Sequence, residues 1–303
     1  MTPQEELTYW KSFIKLKPHE AVKRDMLEDW ISNRDKIALL DSDSLAYNVA
    51  SFWIDKEHNI EEMFQDFCEQ RQNIILAIEE SGINVVDIYH YFTTCSNNFR
   101  YKLCKDYKAN RVESPVKKLA RKLVSYTIHR MEELDWAFWS SNDLEADDGI
   151  AKYVSNDNAK NVITVSIDKD LKQVLGAHFD YYKVKTGELD VWDKPIKEYR
   201  GWSFTSPQES YDMFLEQLAM GDKSDNVKGG YLIGEVKAKE MLEGKTNFGK
   251  LLAVARAYRV YNIKDKDGIC KQKTLKQYQK HKGLKTMSND MDRLRKNVKL
   301  MRL

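Results

Sequence analysis

Acidic residues occur in four clusters along this chain, at or near the ends of apolar runs. Asp41 closes KIALLD, and the other clusters lie in LEADD, SIDKD and GDKSDN. Carboxylates so close together repel one another, so they cost stability unless a cation neutralises them. Because Mg2+ and Mn2+ prefer oxygen ligands, the clusters predict a divalent-metal site suited to phosphate chemistry. The candidate metal ligands are Asp41, Glu145, Asp147, Asp148, Asp168, Asp170, Asp222 and Asp225.

An ordinary structural explanation of these acids stays open from the sequence. A single acid in the first turn of a helix is stabilised by the helix dipole by about 0.3–1 kcal/mol, but LEADD places three acids in four residues. Glu145 and Asp148 are three residues apart, so on a helix they share one face and can meet one ion. Asp168 and Asp170 are two residues apart, so on an extended strand they point the same way.

Two further segments combine cations with aromatic residues or glycines. Aromatic and basic side chains alternate in FRYKLCKDYKANR, a pattern in which bases stack on rings and cations meet phosphates; a solvated basic face is the alternative. The glycines of GDKSDNVKGG allow backbone N–H groups to approach phosphate before a helix; an Asp-capped turn is the alternative. The candidate nucleic-acid-binding residues are Tyr107, Lys108, Arg111, Lys228, Gly229, Gly230, Gly234, Lys237 and Lys239.

The composition indicates a folded protein of mixed charge. The 303 residues are 42% hydrophobic and 32% charged, with a formal net charge of +2, which argues against a disordered chain. The four cysteines have no CxxC spacing, so we expect reduced thiols rather than a zinc site. The polar N-terminus and the lack of an apolar run of about 18 residues predict a cytoplasmic protein without a membrane partner. Residues 264–303 contain 13 Lys/Arg and 4 Asp, which suits a polyanionic partner.

Hydrophobic periodicity predicts an α/β fold. The expected strands are 36–41, 83–93 and 162–167, with a hairpin over 181–204. The expected helices are 3–34, 60–80, 115–139 and 142–154, with further helical segments after Pro207. Strands that alternate with helices are typical of a parallel sheet covered by helices.

Taken together and in order, these motifs resemble the bacteriophage 5′-nuclease family of 5′→3′ exonucleases and flap endonucleases. The markers, in chain order, are LLDSDSL, FRYKLCKDYKANR, LEADD, SIDKD and MGDKSDNVKGG. The resemblance runs from about Lys36 to Ala257, and the closing LRKNVKLMRL is similar to the family's final segment.

The resemblance implies a central, mostly parallel sheet flanked by helices, which is a PIN-like nuclease core, and a helical helix–turn–helix module that binds duplex. The implied parts of the chain are an N-terminal helical extension over 1–35, a nuclease core over 36–205 with an arch at about 96–130, and a DNA-binding module with a basic tail over 206–303.

The resemblance also implies a mechanism and a substrate. The eight acids would hold or surround two ions of Mg2+ or Mn2+, which generate hydroxide and stabilise charge on the scissile phosphate. Lys108 and Arg111 would be catalytic cations beside Tyr107, and Gly229–Lys239 would grip the duplex backbone with a bound K+. The expected enzyme is a monomer that cuts duplex DNA at 5′ ends, nicks or flaps, or RNA–DNA hybrids, in phage replication or primer removal within an infected bacterium.

The sequence departs from the family pattern at two places. The second strand ends in YFTTCSNN, so Thr93 and Thr94 stand where the family has an Asp, and Asp43 is the candidate to replace that ligand. Leu232 stands where the family often has a glycine in its GxxGIG turn. We expect the turn to survive with altered geometry.

Three other functions remain open from the sequence. LLDSDSL also resembles the nucleophile strand of haloacid-dehalogenase-type phosphatases, in which the first Asp forms an aspartyl phosphate. However, GDKSDN is too short for the later motif of those enzymes, and LEADD has no role there. The chain also resembles PIN-type ribonucleases in its acid-rich sheet edge. The lost strand-end Asp would suit a nucleic-acid-binding protein with a degenerate site, although the retained acids argue against it.

Overall fold

The computed structural model describes residues 21–57, 59–95, 98–155, 157–182, 201–264, 270–273, 285–289 and 291–301, and within 259–292 only the backbone. The chain forms two compact units. The first comprises residues up to Asn98 and Glu113–Ser210, and the second comprises Phe99–Val112 and residues from Tyr211 onward. Most of the predicted helix over 3–34 and of the hairpin over 181–204 lies outside the described residues.

A six-stranded sheet forms the centre of the first unit. The strands are β1 Asp35–Asp41, β2 Asn84–Thr93, β3 Phe138–Ser141, β4 Val162–Val165, β5 Gly176–Phe179 and β6 Trp202–Thr205. Their order in the sheet is β3-β2-β1-β4-β5-β6, and all neighbours are parallel except β5 and β6. The predicted α/β class and mostly parallel sheet are therefore confirmed.

The middle of the sheet is apolar because helices cover both faces. Ala38, Leu39 and Leu40 of β1 are completely buried, as is Ile163 of β4. The described helices of this unit are α1 Ala21–Ser32, α2 Ser42–Trp53, α3 Ile60–Glu79, α5 Pro115–Glu133 and α6 Ala146–Tyr153; a short helix α4 Phe99–Leu103 belongs to the second unit. Consecutive parallel strands joined through helices give the sheet its doubly covered arrangement.

Helix α1 is fixed to the sheet by a buried tryptophan and a buried lysine. The indole Nε1 of Trp30 donates to the carbonyl of Val162 at 3.1 Å. The ammonium of Lys36 is completely buried; it donates to the carbonyl of Trp30 at 2.8 Å and also to that of Asn33. Burial lowers the pKa of Lys36 to about 8. The end of the predicted N-terminal extension is thus part of the packed core.

The segment predicted as one helix over 115–139 contains a helix and a strand. Helix α5 ends at Glu133, and the chain then turns through Asp135, whose φ is 55°. Phe138–Ser141 pairs in parallel with β2, so residues that helical periodicity assigned to a helix end serve as an edge strand. Helix α2, which begins directly after Asp41, was not predicted, although its buried residues Leu45, Ala46, Val49 and Ala50 have helical spacing.

The second unit contains more strand than the predicted helical module. Its further helices are α7 Pro207–Met220, whose first residues belong to the first unit, α8 Glu235–Leu242, α9 Asn247–Ala257 and α10 Met291–Met301. Two short strands, β7 Gly221–Asp222 and β8 Val227–Lys228, pair antiparallel. Three strands, β9 Arg259–Lys264, β10 Cys270–Lys273 and β11 Lys285–Asn289, form an antiparallel sheet within the predicted basic tail. The predicted helical module thus includes these helices, and the strands β9 to β11, which lie largely in the basic tail, were not predicted.

No helix in the described ranges is both long enough and apolar enough to span a bilayer.

Helix α6 packs closely against the edge of the sheet, and a glycine permits that approach. A Cβ atom added to Gly149 would lie 2.5 Å from the ring of Trp139, which in turn packs against Tyr91. We expect Gly149→Ala to lower the free energy of unfolding by about 1–3 kcal/mol through overpacking. Urea denaturation measures this change.

The matched control is Lys152→Ala, an exposed position on the same helix, which should change stability by less than about 0.5 kcal/mol. If Gly149→Ala unfolds like the wild type, Trp139 yields freely and the close packing of α6 does not constrain the helix.

Candidate metal centre and phosphate-binding segment

The first group of acids lies where the chain order of the sheet reverses. From β1 the chain passes to β2 and β3 on one side, and β4 pairs with β1 on the other side. Open parallel sheets bind ligands at the carboxyl ends of the strands at such a point. Asp41 is the last residue of β1, and Ser166 and Asp168 follow β4. The topology therefore brings two of the predicted clusters to one edge of the sheet.

Asp41 is a buried carboxylate held by two serines. Its Oδ2 accepts from the hydroxyl of Ser44 at 2.6 Å and from that of Ser166 at 2.7 Å. Ser166 Oγ in turn accepts from the N–H of Asp168 at 2.9 Å. Burial raises the pKa of Asp41, the hydroxyls oppose that shift, and the negative charge of Asp168 raises the pKa further. Asp41 and Asp168 therefore lie close enough to repel each other.

Asp43 lies in the first turn of α2, and its carboxylate reaches the end of β2. Both of its carboxylate oxygens accept from the backbone N–H of Thr93, at 3.1 and 3.0 Å. The hydroxyl of Thr93 accepts from the N–H of Ala146, the first residue of α6, at 2.9 Å. Burial raises the pKa of Asp43 to about 7, with Asp41 and Glu145 adding to the shift. Thr93 thus ties the acid after β1 to the acids at the start of α6.

The acids of LEADD serve partly as helix caps. Asp148 Oδ2 accepts from the N–H of Glu145 at 3.0 Å, which is half of a capping box. Asp147 Oδ1 accepts from the N–H of Asp148 at 2.8 Å. Glu145 Oε1 accepts from the side-chain amide of Asn98 at 2.8 Å. These bonds fix the carboxylates without supplying a positive charge, so the capping role and a metal role are compatible.

The predicted pairing of Asp168 and Asp170 on an extended strand was wrong. Strand β4 ends at Val165, and a short 3-10 helix begins at Asp170. Asp168 Oδ1 accepts from the N–H of Asp170 at 2.8 Å, so Asp168 caps that turn. The strand stops because Ser166 turns its hydroxyl to Asp41 and receives the N–H of Asp168.

The chemistry of these acids fits an oxygen-preferring divalent cation. In the described residues, no cationic side chain forms an ion pair with Asp41, Asp43 or Asp168. The raised pKa values of Asp41 and Asp43 mean that the charged cluster is destabilised without a counter-ion. Within the same described part of the chain, no three acidic, His or Cys side chains already converge on one ion position. The donors fit, but they do not form a closed cage.

In the second unit, the predicted metal ligand Asp225 contacts the predicted phosphate-binding cations. Its Oδ1 accepts from Arg111 Nη2 at 2.5 Å, and its Oδ2 accepts from the hydroxyl of Tyr107 at 2.7 Å. Lys108 Nζ lies 3.9 Å from Oδ2. Asp222 Oδ1 accepts from the hydroxyl and N–H of Ser224. YKANR and GDKSDN, more than a hundred residues apart, are therefore in contact.

Lys108 and Arg111 do not lie in a helix, so a shared helix face is not the reason that they are close together. Helix α4 ends at Leu103, and Lys108 has a φ of 55° in the left-handed region. The two side chains share Asp225 as a partner instead.

The glycines predicted to approach phosphate include two that are used for internal packing. A Cβ atom on Gly229 would lie 2.2 Å from the backbone of Gly221 and Met220. The N–H of Gly230 donates to the carbonyl of Ala219 at 2.8 Å. Gly234, by contrast, is exposed at the start of α8 with open space around its Cα.

The predicted duplex-binding lysines lie on the surface around α8. Lys228, Lys237 and Lys239 are exposed. Lys237 Nζ donates to the carbonyl of Leu232 at 3.3 Å, and Lys239 pairs with Glu235 at 2.7 Å. Their contact with a duplex stays a prediction.

Sequence reasoning missed the polar residues that hold the acids. Ser44, Thr93, Asn98 and Ser166 each donate to or accept from an acid or its helix. Ser44 and Ser166 lie within three residues of a candidate acid, so their position in the sequence could have identified them as partners of that acid. Nothing in the sequence connects Asn98 with Glu145.

The comparisons with known proteins identify the family. The family described as 5'-3' exonuclease, N-terminal resolvase-like domain, matches residues 36–199, which is more than half of the chain. The chain belongs to this family. The match covers β1 to β5 with Asp41, the LEADD acids and Asp168, so the resemblance to 5′-nucleases is confirmed.

Two bacterial proteins are similar in sequence to this member of the 5'-3' exonuclease family. The chain is 29% identical over 197 residues to a 5'-3' exonuclease of Buchnera aphidicola, covering 61% of this chain and 65% of that protein. It is 27% identical over 223 residues to DNA polymerase I of Bacillus caldotenax, covering 69% of this chain and 23% of the polymerase. The chain thus spans less than two thirds of these two relatives.

Solved structures support the fold of this family member. The T5 D15 protein co-crystallised with metal ions superposes with a TM-score of 0.55 at 15% identity, covering 88% of this chain and 89% of that chain. The T5 5'-exonuclease with bound zinc gives a TM-score of 0.56 at 15% identity over the same shares. The predicted sheet architecture agrees with both.

The raised pKa of the half-buried acid Asp43 predicts a pH dependence of stability in the metal-free protein. Its pKa is about 7 in the folded state and near 3.8 in the unfolded state. The folded state therefore binds more protons between these values, so stability falls as the pH rises from 4 to 7. We expect Asp43→Asn to be more stable than the wild type at pH 8 in EDTA, by on the order of 2 kcal/mol.

Thermal denaturation in EDTA between pH 4 and 8 measures this dependence. The exposed acid Asp87, near the start of β2, supplies the control Asp87→Asn, which should follow the wild-type pH profile. A wild-type profile for Asp43→Asn as well would mean that Asp43 titrates normally.

Leu232 marks the second departure from the family pattern and adopts the backbone expected of a glycine. Its φ is 55° and its side chain is 63% exposed. A non-glycine residue in the left-handed region lowers stability by about 1–2 kcal/mol. Glycine removes this strain but makes the unfolded chain more flexible, which costs about 0.4–1 kcal/mol. We expect Leu232→Gly to stabilise the protein by about 0.5–1 kcal/mol, measured by urea denaturation. Leu232→Ala keeps the strain and should give no gain; equal stability of both variants with the wild type would exclude strain at this turn.

Proposed function

We propose that this protein is a divalent-metal-dependent nuclease that hydrolyses phosphodiester bonds of nucleic acid from the 5′ end. The observation that carries the proposal is the coincidence of the family match over residues 36–199 with a buried, mutually repelling carboxylate cluster at the sheet's switch point. The family match also favours this function over a haloacid-dehalogenase-type phosphatase. The name of one structural relative, a T5 D15 flap endonuclease complex with DNA and metal ions, agrees with it.

The acids of the first unit are the proposed ligands of Mg2+ or Mn2+, with two ions as the proposed number. When bound, such ions lower the pKa of water and neutralise charge that develops on the phosphate. Six acids of this unit would hold or surround the ions: Asp41, Glu145, Asp147, Asp148, Asp168 and Asp170. Asp222 and Asp225 in the second unit were predicted to have the same role.

We propose that Asp43 takes the place of the Asp that the family has after the second strand. Thr93 occupies that place here, but its N–H holds the carboxylate of Asp43 at the same strand end. Asp43 faces Asp41 and Glu145 closely enough for their charges to raise its pKa. The negative charge missing from β2 is thus supplied from the first turn of α2.

Several residues of this chain hold the reacting groups in place. Ser44 and Ser166 orient Asp41, and the cap formed by Asp148 keeps Glu145 at the start of α6. Lys108 and Arg111 are the proposed cations for the phosphate to be cut. Tyr107 is buried and supports them.

The proposed substrate is duplex DNA with a 5′ end, a nick or a flap, and RNA–DNA hybrids are included. The exposed Lys228, Lys237 and Lys239 and the open backbone at Gly234 are suited to phosphate contacts. Such contacts carry little sequence information, so we propose recognition of structure rather than sequence. A K+ ion at this turn, a monomeric state, a cytoplasmic location and a role in replication or primer removal belong to the same proposal.

A nucleic-acid-binding protein without activity is the second candidate. The lost strand-end Asp is the feature that favours it. Against it, Asp41 is buried, Asp43 is half-buried, and the two carboxylates repel each other, which costs stability that an inactive protein has no reason to retain.

Replacing a proposed ligand should separate binding from cleavage. We expect Asp148→Asn and Asp168→Asn each to reduce cleavage of a 5′-labelled nicked duplex in Mg2+ by more than about 100-fold, since a carboxylate ligand is lost. Duplex affinity measured in EDTA should stay within about threefold. Gel electrophoresis of the products and fluorescence anisotropy give the two quantities.

Asp87→Asn, at the opposite end of the sheet, is the control and should cleave like the wild type. Wild-type cleavage by both ligand variants would refute the site. Binding without cleavage by the wild type in Mg2+ and Mn2+ would favour the inactive binding protein.

A further inference from the structure

Asp225 is the centre of a network that fixes the segment 106–111 to the loop 222–226, and we call this network the clasp. Both parts belong to the second unit. The two oxygens of the carboxylate accept from Arg111 and Tyr107, and Lys108 lies 3.9 Å away. The two best-placed donors to Asp225 are thus residues predicted to bind nucleic acid.

Main-chain contacts hold the clasp independently of that carboxylate. The N–H of Lys108 donates to the carbonyl of Asp225 at 2.9 Å. Arg111 Nε donates to the carbonyl of Ser224 at 3.2 Å, and Asn226 Nδ2 donates to the carbonyl of Asp106 at 2.8 Å. The segment 106–111 is therefore joined to the loop 222–226 by hydrogen bonds that do not involve the carboxylate of Asp225.

Two residues of the clasp have a left-handed backbone conformation. Lys108 and Asn226 have φ angles of 55° and 58°. A lysine in the left-handed region is uncommon, and such a conformation persists only where its surroundings enforce it. Tyr107 is 2% exposed in the apolar core of this unit, which anchors the segment from below. Lys108 also lies over the Tyr107 ring, at 5.0 Å from its centroid.

The arrangement holds two cations in fixed positions, and Arg111 is the more accessible of the two, since only 15% of the Lys108 side chain is exposed. Arg111 keeps 43% of its side chain exposed while one Nη2 and the Nε are bound to the loop, so part of the guanidinium remains accessible. A guanidinium fixed by one anion is pre-organised for a second, because its donors form a rigid fork. A phosphodiester oxygen is an anion of suitable charge and size.

We infer that Asp225 is a positioning residue, which sets Arg111 and Lys108 for a backbone phosphate of the nucleic acid. Asp225 acts through these cations and not on the substrate itself. The inference rests on the proposed function, since it requires that the two cations meet phosphate. It assigns to the GDKSDN motif the task of placing the cations of YKANR.

The test measures duplex affinity in EDTA, where no role as an ion ligand can contribute. Removing any acid strengthens DNA binding through net charge, so Asp225→Asn is compared with Asp106→Asn, which removes the same charge from an exposed acid of the same segment. We expect Asp225→Asn to bind a nicked duplex about threefold to tenfold more weakly than Asp106→Asn. Its slope of log affinity against log salt should be smaller by about 1.

The same comparison in the background Lys108→Ala/Arg111→Ala isolates the mechanism. Without the two cations, Asp225→Asn and Asp106→Asn should bind equally. If Asp225→Asn binds as tightly as Asp106→Asn in the wild-type background, or if their difference survives without the cations, the inference is wrong.

A second measurement needs no DNA and therefore separates this inference from the proposed function. The Tm loss of Asp225→Asn/Arg111→Ala should be smaller than the sum of the two single losses, because both single variants remove the ion pair between Arg111 and Asp225. Tyr107→Phe, which removes one hydroxyl donor, should give a smaller loss and covers the case in which Asp225→Asn does not fold. Additive Tm losses would overturn the clasp. A protein that binds no duplex but has coupled Tm losses would refute the proposed function and leave the clasp intact.

Discussion

Repulsion among carboxylates at the carboxyl edge of the central sheet is the constraint that shapes the first unit. Asp41, Asp43 and Asp168 are brought together by the adjacency of β1, β2 and β4, and burial raises the pKa of the first two. The fold tolerates this charge because hydroxyl and N–H donors surround it. Ser44 and Ser166 donate to Asp41, and Thr93 donates to Asp43. The site is thus held by dipoles, which leave it short of positive charge.

In the second unit, the structure fixes the positions of two flexible cationic side chains. Lysine and arginine side chains lose considerable conformational entropy when they are ordered. Here the chain places Lys108 and Arg111 on a segment whose backbone is bonded to a distant loop, with a buried tyrosine beneath it. The first unit therefore fixes a group of acids, and the second fixes two cations around the carboxylate of Asp225.

The sequence predicted the parts of the fold that follow from strong apolar patterns. Strands β1 and β2 and helix α3 lie within one residue of their predicted bounds, because long buried runs and a glycine stop are local signals. Strand β3 was hidden by helical periodicity, and β5 is too short to stand out. The acids were found because like charges in sequence are conspicuous. Their partners were not, because Thr93 and Asn98 act through contacts that only the folded chain creates.

The donor that holds Asp43 belongs to the main chain, and this has an evolutionary consequence. Any residue except proline supplies the same N–H at position 93, so the bond to Asp43 does not depend on the side chain there. That side chain needs only an oxygen that accepts the N–H of Ala146, which a Thr hydroxyl and an Asp carboxylate both supply. A lineage can therefore transfer a negative charge from one strand end to its neighbour by two ordinary substitutions, with no rearrangement of the sheet. Residue-by-residue comparison would record such a relocation as a loss.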